Sequence, residues 1–416
     1  MNIQLADVIT IGDEILYGQI IDTNSAWLGT ELTQIGLKVR QITSISDNPE
    51  HIIQTLNQVK KEVAVIIITG GLGPTKDDLT KQTLCRYFNT ELVLHEPSLL
   101  HIAHLFKRYD REVTELNRQQ AMLPATCTPI ENPLGTAPGM WFEEEEVIYI
   151  SLPGVPFEMK RIMSDTVLPQ LKEKFQGQQI QHRVIQTIGL GESFLADKIA
   201  AWEDNLPDNL KLAYLPNLNG VRLRITGFSN RQDNLEEQLN TETNKLQELI
   251  PEYIFAIGEI PIEAAMGNLL KEKGLTISTA ESCTGGHLAH KLTSIAGSSE
   301  YFMGSILAYH NNIKINQLGI TPDDLSQHGA VSEVVVSQMA ANVRKLLNTD
   351  IGLATSGIAG PGGGTPDKPV GTIWIAYADA EKTIARQLSY NKDRLLNIEY
   401  TTYAILNLLR QQLNHA

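Results

Sequence analysis

Cysteine is scarce. Cys85, Cys127 and Cys283 are the only three, far apart and odd in number. That excludes a disulfide framework and a paired Cys-x-x-Cys zinc site. Long apolar runs are missing as well. The longest purely aliphatic stretch is residues 63–68, far below the roughly 20 residues of a membrane helix. Basic charge is in deficit: 34 Lys and Arg face 48 Asp and Glu, a net charge of −14. A general binder of nucleic acid or anionic membrane would carry a basic surface, so neither is expected as a direct partner. A phosphate-bearing ligand must then be small and held by backbone amides, a metal or a few local cations. The first residues, Met-Asn-Ile-Gln-Leu-Ala-Asp, lack a basic stretch ahead of an apolar run. No signal peptide is expected, and the setting expected is cytoplasmic and reducing. Gly and Pro are ordinary in amount and no heptads persist, which removes the fibrous and low-complexity classes.

What is present is enough apolar material for several cores. The chain has 416 residues, 42 % of them hydrophobic. At roughly 150 residues per domain this suggests two or three domains. Residues 5–12, 37–45 and 63–69 read as strands, and 23–35, 49–61 and 78–88 as helices. This βαβαβα order predicts a doubly wound parallel sheet in a domain spanning 1–175. The run Glu143–Glu146 reads as a hairpin tip, and Pro169 as a stop or kink for a helix over 155–168. A small α+β domain is expected over 176–257, with strands at 180–189 and 221–226 and helices at 192–201 and 232–249. A third domain, again α/β, covers 258–416. Its expected strands are 275–280, 351–355 and 370–378. Its expected helices are 262–273, 287–294, 332–347 and 394–412.

Two segments invite chemistry. The first is Thr69-Gly-Gly-Leu-Gly-Pro-Thr-Lys-Asp-Asp-Leu-Thr80. A strand runs into glycines and then a helix, so amides at Gly70, Gly71 and Gly73 can approach an anion at a helix amino end. Thr75 and Lys76 can donate to phosphate. Asp77 and Asp78 cannot, but they suit a divalent metal. A tight turn with Asp78 capping the helix fits the same letters equally well. The second is Ala280-Glu-Ser-Cys-Thr-Gly-Gly286. Ser282 stands between strand end and helix start, where glycines expose a nucleophile and supply amides. Serine needs a base, and Tyr309 and Lys314 are the candidates. The plainer alternative is that Ser282 caps the next helix. Cys283 is the rival nucleophile, better read as buried packing. The pairs His101/His104 and His287/His290 lack further metal ligands.

Gly12-Asp13-Glu14-Ile15, Thr23-Asn24, Asp47, the glycine segment and Leu152-Pro-Gly-Val-Pro-Phe-Glu-Met-Lys160 together resemble the molybdopterin-binding fold of the MoaB/MogA proteins. Ala280–Gly286, His328-Gly-Ala-Val-Ser-Glu333, Ser356-Gly-Ile-Ala-Gly-Pro-Gly-Gly-Gly364 and Pro369-Val-Gly-Thr372 resemble the C-terminal domain of the CinA family, the nicotinamide mononucleotide deamidases. Together the resemblance spans the chain. It implies two hydrolytic activities. One is deamidation of nicotinamide mononucleotide to nicotinate mononucleotide and ammonia, with Ser282, Tyr309 and Lys314 as the catalytic set. Thr284, Gly285, Gly286, Ser356, Gly357 and Arg394 would bind that substrate. The other is a metal-dependent ADP-ribose pyrophosphatase in the first domain. Gly70, Gly71, Gly73 and Thr75 would hold its ligand, and Asp78, Asp47 and Glu14 a divalent metal; the deamidase needs no cofactor. A homodimer is also implied. His310 is a departure, because serine is usual there. A role in competence or DNA damage without catalysis, or molybdopterin binding by the first domain alone, remains the alternative.

Overall fold

The computed structural model describes residues 4–59, 62–75, 78–108, 110–175, 179–218, 220–229 and 234–414. The expected helix ends at Lys61 and Gln232, the boundary at 176 and the loop residues Lys76 and Asp77 lie outside them. The chain divides into two compact units, residues 1–181 with 227–237, and residues 182–226 with 238–416. No helix among the described residues is long and apolar enough to cross a membrane.

The first unit holds a six-stranded sheet. In spatial order its strands are Lys38–Ile45, Leu5–Ile11, Val65–Thr69, Val147–Leu152, Gly139–Glu144 and Thr128–Ile130. The first four are parallel. The last two turn antiparallel, which the sequence pattern did not reveal. Val65–Thr69 and Val147–Leu152 are buried at every position, because helices cover both faces. Leu28, Leu32, Met159 and Ile162 pack on one side. Ile52, Leu56 and Leu84 pack on the other. The acidic run does form a hairpin turn, and its two turn residues, Glu145 and Glu146, both take positive φ. Pro169 does not stop its helix. Pro156–Ile162 passes through a π turn at Met163–Val167 into Leu168–Lys174. The proline falls at the start of the last segment, just past the point where the hydrogen-bond register changes, so its missing N–H interrupts no regular ladder.

The second unit begins with a small α+β part. Four strands lie in the order Leu210–Asn217, Gly220–Ser229, Gln179–Thr187, Ile254–Ile257. Two helices, Glu192–Glu203 and Leu235–Leu249, accompany them. The first and last of these strands were not expected. The larger part is a five-stranded sheet ordered Phe302–Leu307, Ile277–Glu281, Ile351–Gly357, Thr372–Ala378, Thr383–Ser389. Its first three strands are parallel and its last two antiparallel. Leu270, Leu288, Leu406 and Leu409 fill one face of this sheet. Val335, Val336, Met339 and Val343 fill the other. The edge strands Phe302–Leu307 and Thr383–Ser389 escaped sequence reading. A Gly-Ser pair dilutes the first, and Arg386 with Gln387 dilutes the second. The helices Asn311–Leu318 and Pro322–His328 were also unforeseen.

Candidate active sites

Ser282, Ala308 and Tyr309 all sit just past the carboxyl ends of neighbouring parallel strands, where open α/β sheets gather their ligands. The Ser282 amide donates to Thr355 O at 2.9 Å, which fixes the residue against the next strand. Lys314 reaches this point from the helix Asn311–Leu318, and its side chain is only 1 % exposed. Its Nζ donates to Ser282 Oγ at 3.1 Å, to Ala308 O at 2.6 Å and to Tyr309 O at 3.3 Å. No ion pair to a carboxylate compensates this amine among the described residues. Burial therefore pushes its pKa below the ordinary lysine value. A neutral amine has two hydrogens and one lone pair. In that form the two carbonyls take the hydrogens and the lone pair accepts from the serine hydroxyl, the reverse of the donation that the ammonium form makes to Ser282 Oγ.

Tyr309 contributes differently from the expectation. Its side chain is 59 % exposed. Its hydroxyl accepts from Arg394 Nη2 at 3.0 Å, and Arg394 Nη1 donates to Gly360 O at 2.8 Å. Only its main-chain carbonyl touches Lys314. His310 Nδ1 accepts the Asn312 amide at 3.2 Å and caps the helix that carries Lys314.

The expected ligand donors around Ser282 are largely engaged by the protein. Thr284 Oγ1 donates to Glu281 Oε2 at 2.7 Å and the Gly286 amide to the same oxygen at 3.0 Å. The Gly285 amide bonds Ser282 O. Ser356 Oγ donates to Ala330 O at 2.6 Å, and Gly357 pairs with Ile373 in the sheet. A Cβ at Gly357 would meet the Ile373 side chain at 2.6 Å. Thr284, Gly285, Gly286, Ser356 and Gly357 thus build the loop walls around Ser282. The amides of Cys283 and Thr284 directly follow Ser282, and the Cys283 amide also bonds its own thiol. Cys283 itself is buried in the core, where desolvation pushes its thiol up to about 12. A thiol so protonated is a poor nucleophile. We expect Cys283→Ala to keep ammonia release within about threefold of wild type and to leave alkylation by iodoacetamide without effect on turnover.

In the first unit a cavity of about 530 Å³ opens at the strand ends, lined by Glu14, Asp47, Gly70, Gly71, Gly73 and Asp78 among others. Thr75 lines a smaller neighbouring cavity instead. Asp78 Oδ1 accepts the Gly73 amide at 2.9 Å, and Oδ2 accepts the Thr75 amide at 2.9 Å and the Thr75 hydroxyl. This corrects the reading of Asp78 as the helix cap. The helix starts at Thr80 without a side-chain cap, and the carboxylate already holds an amide expected to face a ligand. Gly70 and Gly71 adopt positive φ, and a Cβ on either would lie 2.1 Å from Ile11 O or Thr80 Oγ1. Asp47 accepts the Asp13 amide at 3.3 Å. Its pKa is raised, first by burial and then by Asp13, Glu14 and Asp78. Among the described residues no three His, Cys, Asp or Glu side chains converge to hold a metal. Glu14, Asp47 and Asp78 make an acidic wall on one cavity. The sequence reading assigned no role to Glu158, which lines the same cavity and accepts from Asn132 Nδ2 at 2.6 Å. Nor did it single out Glu281, a charged residue closing a strand of small and apolar residues.

Comparison with known proteins gives three consecutive matches. "Probable molybdopterin binding domain" covers residues 7–173, "Damage-inducible protein CinA KH domain" 182–256 and "CinA C-terminal domain" 259–413. A CinA-like protein of Cytophaga hutchinsonii is 50 % identical over 408 residues, 98 % of each chain. The chain belongs to the CinA family. A CinA-like protein of Flavobacterium psychrophilum is 43 % identical over 410 residues, again 98 % of each chain. A relative in Halothermothrix orenii, 38 % identical over 410 residues and 98 % of each chain, is called a putative competence-damage inducible protein. Among solved structures, CinA from Thermoplasma acidophilum is 34 % identical and covers 41 % of this chain and 99 % of its own, with a TM-score of 0.38. The α/β architecture with a MoaB/MogA-like first domain, a small KH-like middle domain and a C-terminal CinA domain agrees with the family.

Proposed function

We propose that this CinA-family chain hydrolyses the carboxamide of nicotinamide mononucleotide, releasing ammonia and nicotinate mononucleotide. The observation that carries this reading is the buried Lys314 amine 3.1 Å from Ser282 Oγ, oriented by two carbonyls. Ser282 Oγ attacks the amide carbon while Lys314 takes the hydroxyl proton. The amides of Cys283 and Thr284, which follow the serine in the chain, are the backbone donors nearest in sequence for the oxyanion of the tetrahedral intermediate. Lys314 returns the proton to the leaving nitrogen, and ammonia departs from an ester on Ser282. Water, deprotonated by the same amine, then hydrolyses the ester. Arg394, poised between Gly360 and Tyr309, supplies a cation for the substrate phosphate. Incubation with nicotinamide mononucleotide, read as ammonia and nicotinate mononucleotide, tests the reading. Absence of both products would overturn it.

A second reading concerns the first domain. Its 530 Å³ cavity, glycine-walled and acidic, suits a diphosphate that arrives with its own divalent cation, ADP-ribose being the substrate implied by resemblance. Anions do not enter beside Asp47, Glu14 and Asp78 without such a cation. Asp78→Asn keeps the shape of the residue, removes the charge and weakens its hold on Gly73 and Thr75. We expect ADP-ribose hydrolysis to fall about 10- to 100-fold across a magnesium or manganese titration, with deamidation unchanged. Wild-type rates at every metal concentration would show that Asp78 serves only the loop.

A further inference from the structure

We infer that Glu281 is a positioning residue for the serine nucleophile, and that its carboxylate takes the place an anionic ligand would otherwise hold at the start of the next helix. This rests on the deamidase reading above. The Glu281 side chain is fully buried. Oε2 accepts from Thr284 Oγ1 at 2.7 Å, the Gly286 amide at 3.0 Å and the Leu288 amide at 3.1 Å, and Oε1 accepts from the Ala289 amide at 2.8 Å. Thr284 is held a second time, by Thr355 Oγ1 at 2.7 Å. Thr355 also accepts the Ser282 amide through its carbonyl.

The consequence is geometric. The loop leaves the strand at Glu281, makes one tight turn, and is pulled back onto the same carboxylate by three amides and a hydroxyl. With those donors committed to Glu281, the segment that carries Ser282 is tied at both ends, to the strand and to the helix start. A buried carboxylate with four donors and, among the described residues, no lysine or arginine in ion-pair contact is expensive to keep unless the donors are fixed in place. The arrangement therefore sets the loop before substrate arrives. Such preorganisation acts on the transition state more than on the bound substrate, so it belongs in kcat and not in KM.

Glu281→Gln tests this. The amide group keeps the size but turns at least one N–H toward a backbone N–H. We expect kcat for nicotinamide mononucleotide to fall about 10²- to 10³-fold, with KM within about threefold and cooperative melting retained above the assay temperature. A phosphonofluoridate, which phosphonylates activated serines with loss of fluoride, mapped to Ser282 by mass spectrometry, should label the variant more slowly by a similar factor. A merely structural role would lower the fraction of labelled sites in step with unfolding and leave turnover per labelled site unchanged. That result, or a kcat within threefold of wild type, overturns the inference. If Glu281→Gln does not fold, Glu281→Asp, one methylene too short to hold all four donors, is read in the same way. Wild type that fails to turn over the nucleotide yet labels at Ser282 at a rate lost in Glu281→Gln would defeat the substrate assignment and leave the positioning role standing.

Discussion

Ser282→Ala should abolish ammonia release from nicotinamide mononucleotide, with a fall in kcat of about 10⁴-fold or more, as for nucleophiles that act as one unit with their base. The loss should be confined to this reaction. Only one oxygen is removed, and the backbone bonds of the loop, Ser282 N to Thr355 O and Gly285 N to Ser282 O, do not involve it. The variant should therefore melt as wild type does, and cleavage of ADP-ribose by the other domain should persist. Quantifying ammonia and AMP in parallel decides the matter. Equal loss of both activities, or retention of the first, would refute the assignment of the nucleophile.

Lys314→Met should cost about 10²- to 10⁴-fold in kcat, the usual span for a positioned general base. Methionine fills the slot but cannot accept the serine proton. Lys314→Arg is a sterner test, because guanidinium stays charged at any accessible pH. It should be as inactive as the methionine variant. The pH dependence has a definite sign. Burial lowers the lysine pKa, and the working form is the neutral amine. The rate should rise with pH along an acid limb centred on that lowered pKa, below the free-lysine value of about 10.4. Wild-type turnover by Lys314→Arg, or a rate that is flat on the acid side, would move the base to the Tyr309 hydroxyl or to water.

The serine and the lysine were legible because their letters fall at fixed places: Ser282 at a strand end before glycines, Lys314 five positions beyond Tyr309. The choice between Lys314 and Tyr309 was not legible. It depends on side-chain direction, and the helix Asn311–Leu318 that turns Lys314 inward was itself hidden in an ordinary polar stretch. Glu281 stood inside the quoted motif, yet its function lies in amides of Gly286, Leu288 and Ala289, and amides are the same in every residue. The glycines of both loops were read as room for ligands. At Gly70, Gly71 and Gly357 the room is taken by the protein's own backbone and side chains, since a sequence shows that a Cβ is missing but not what comes close. The parallel strands with continuous Val and Ile declared themselves, whereas edge strands such as Thr383–Ser389, half wet and polar, did not.

Position 310 matters to the site at one remove. A helix cap requires an acceptor, and His310 Nδ1 supplies it to the Asn312 amide at 3.2 Å. A cap of this kind holds about 1 kcal/mol of helix stability. The helix it closes, Asn311–Leu318, is the one that carries Lys314 to Ser282. The first turn of that helix therefore rests on a side chain that touches neither of them.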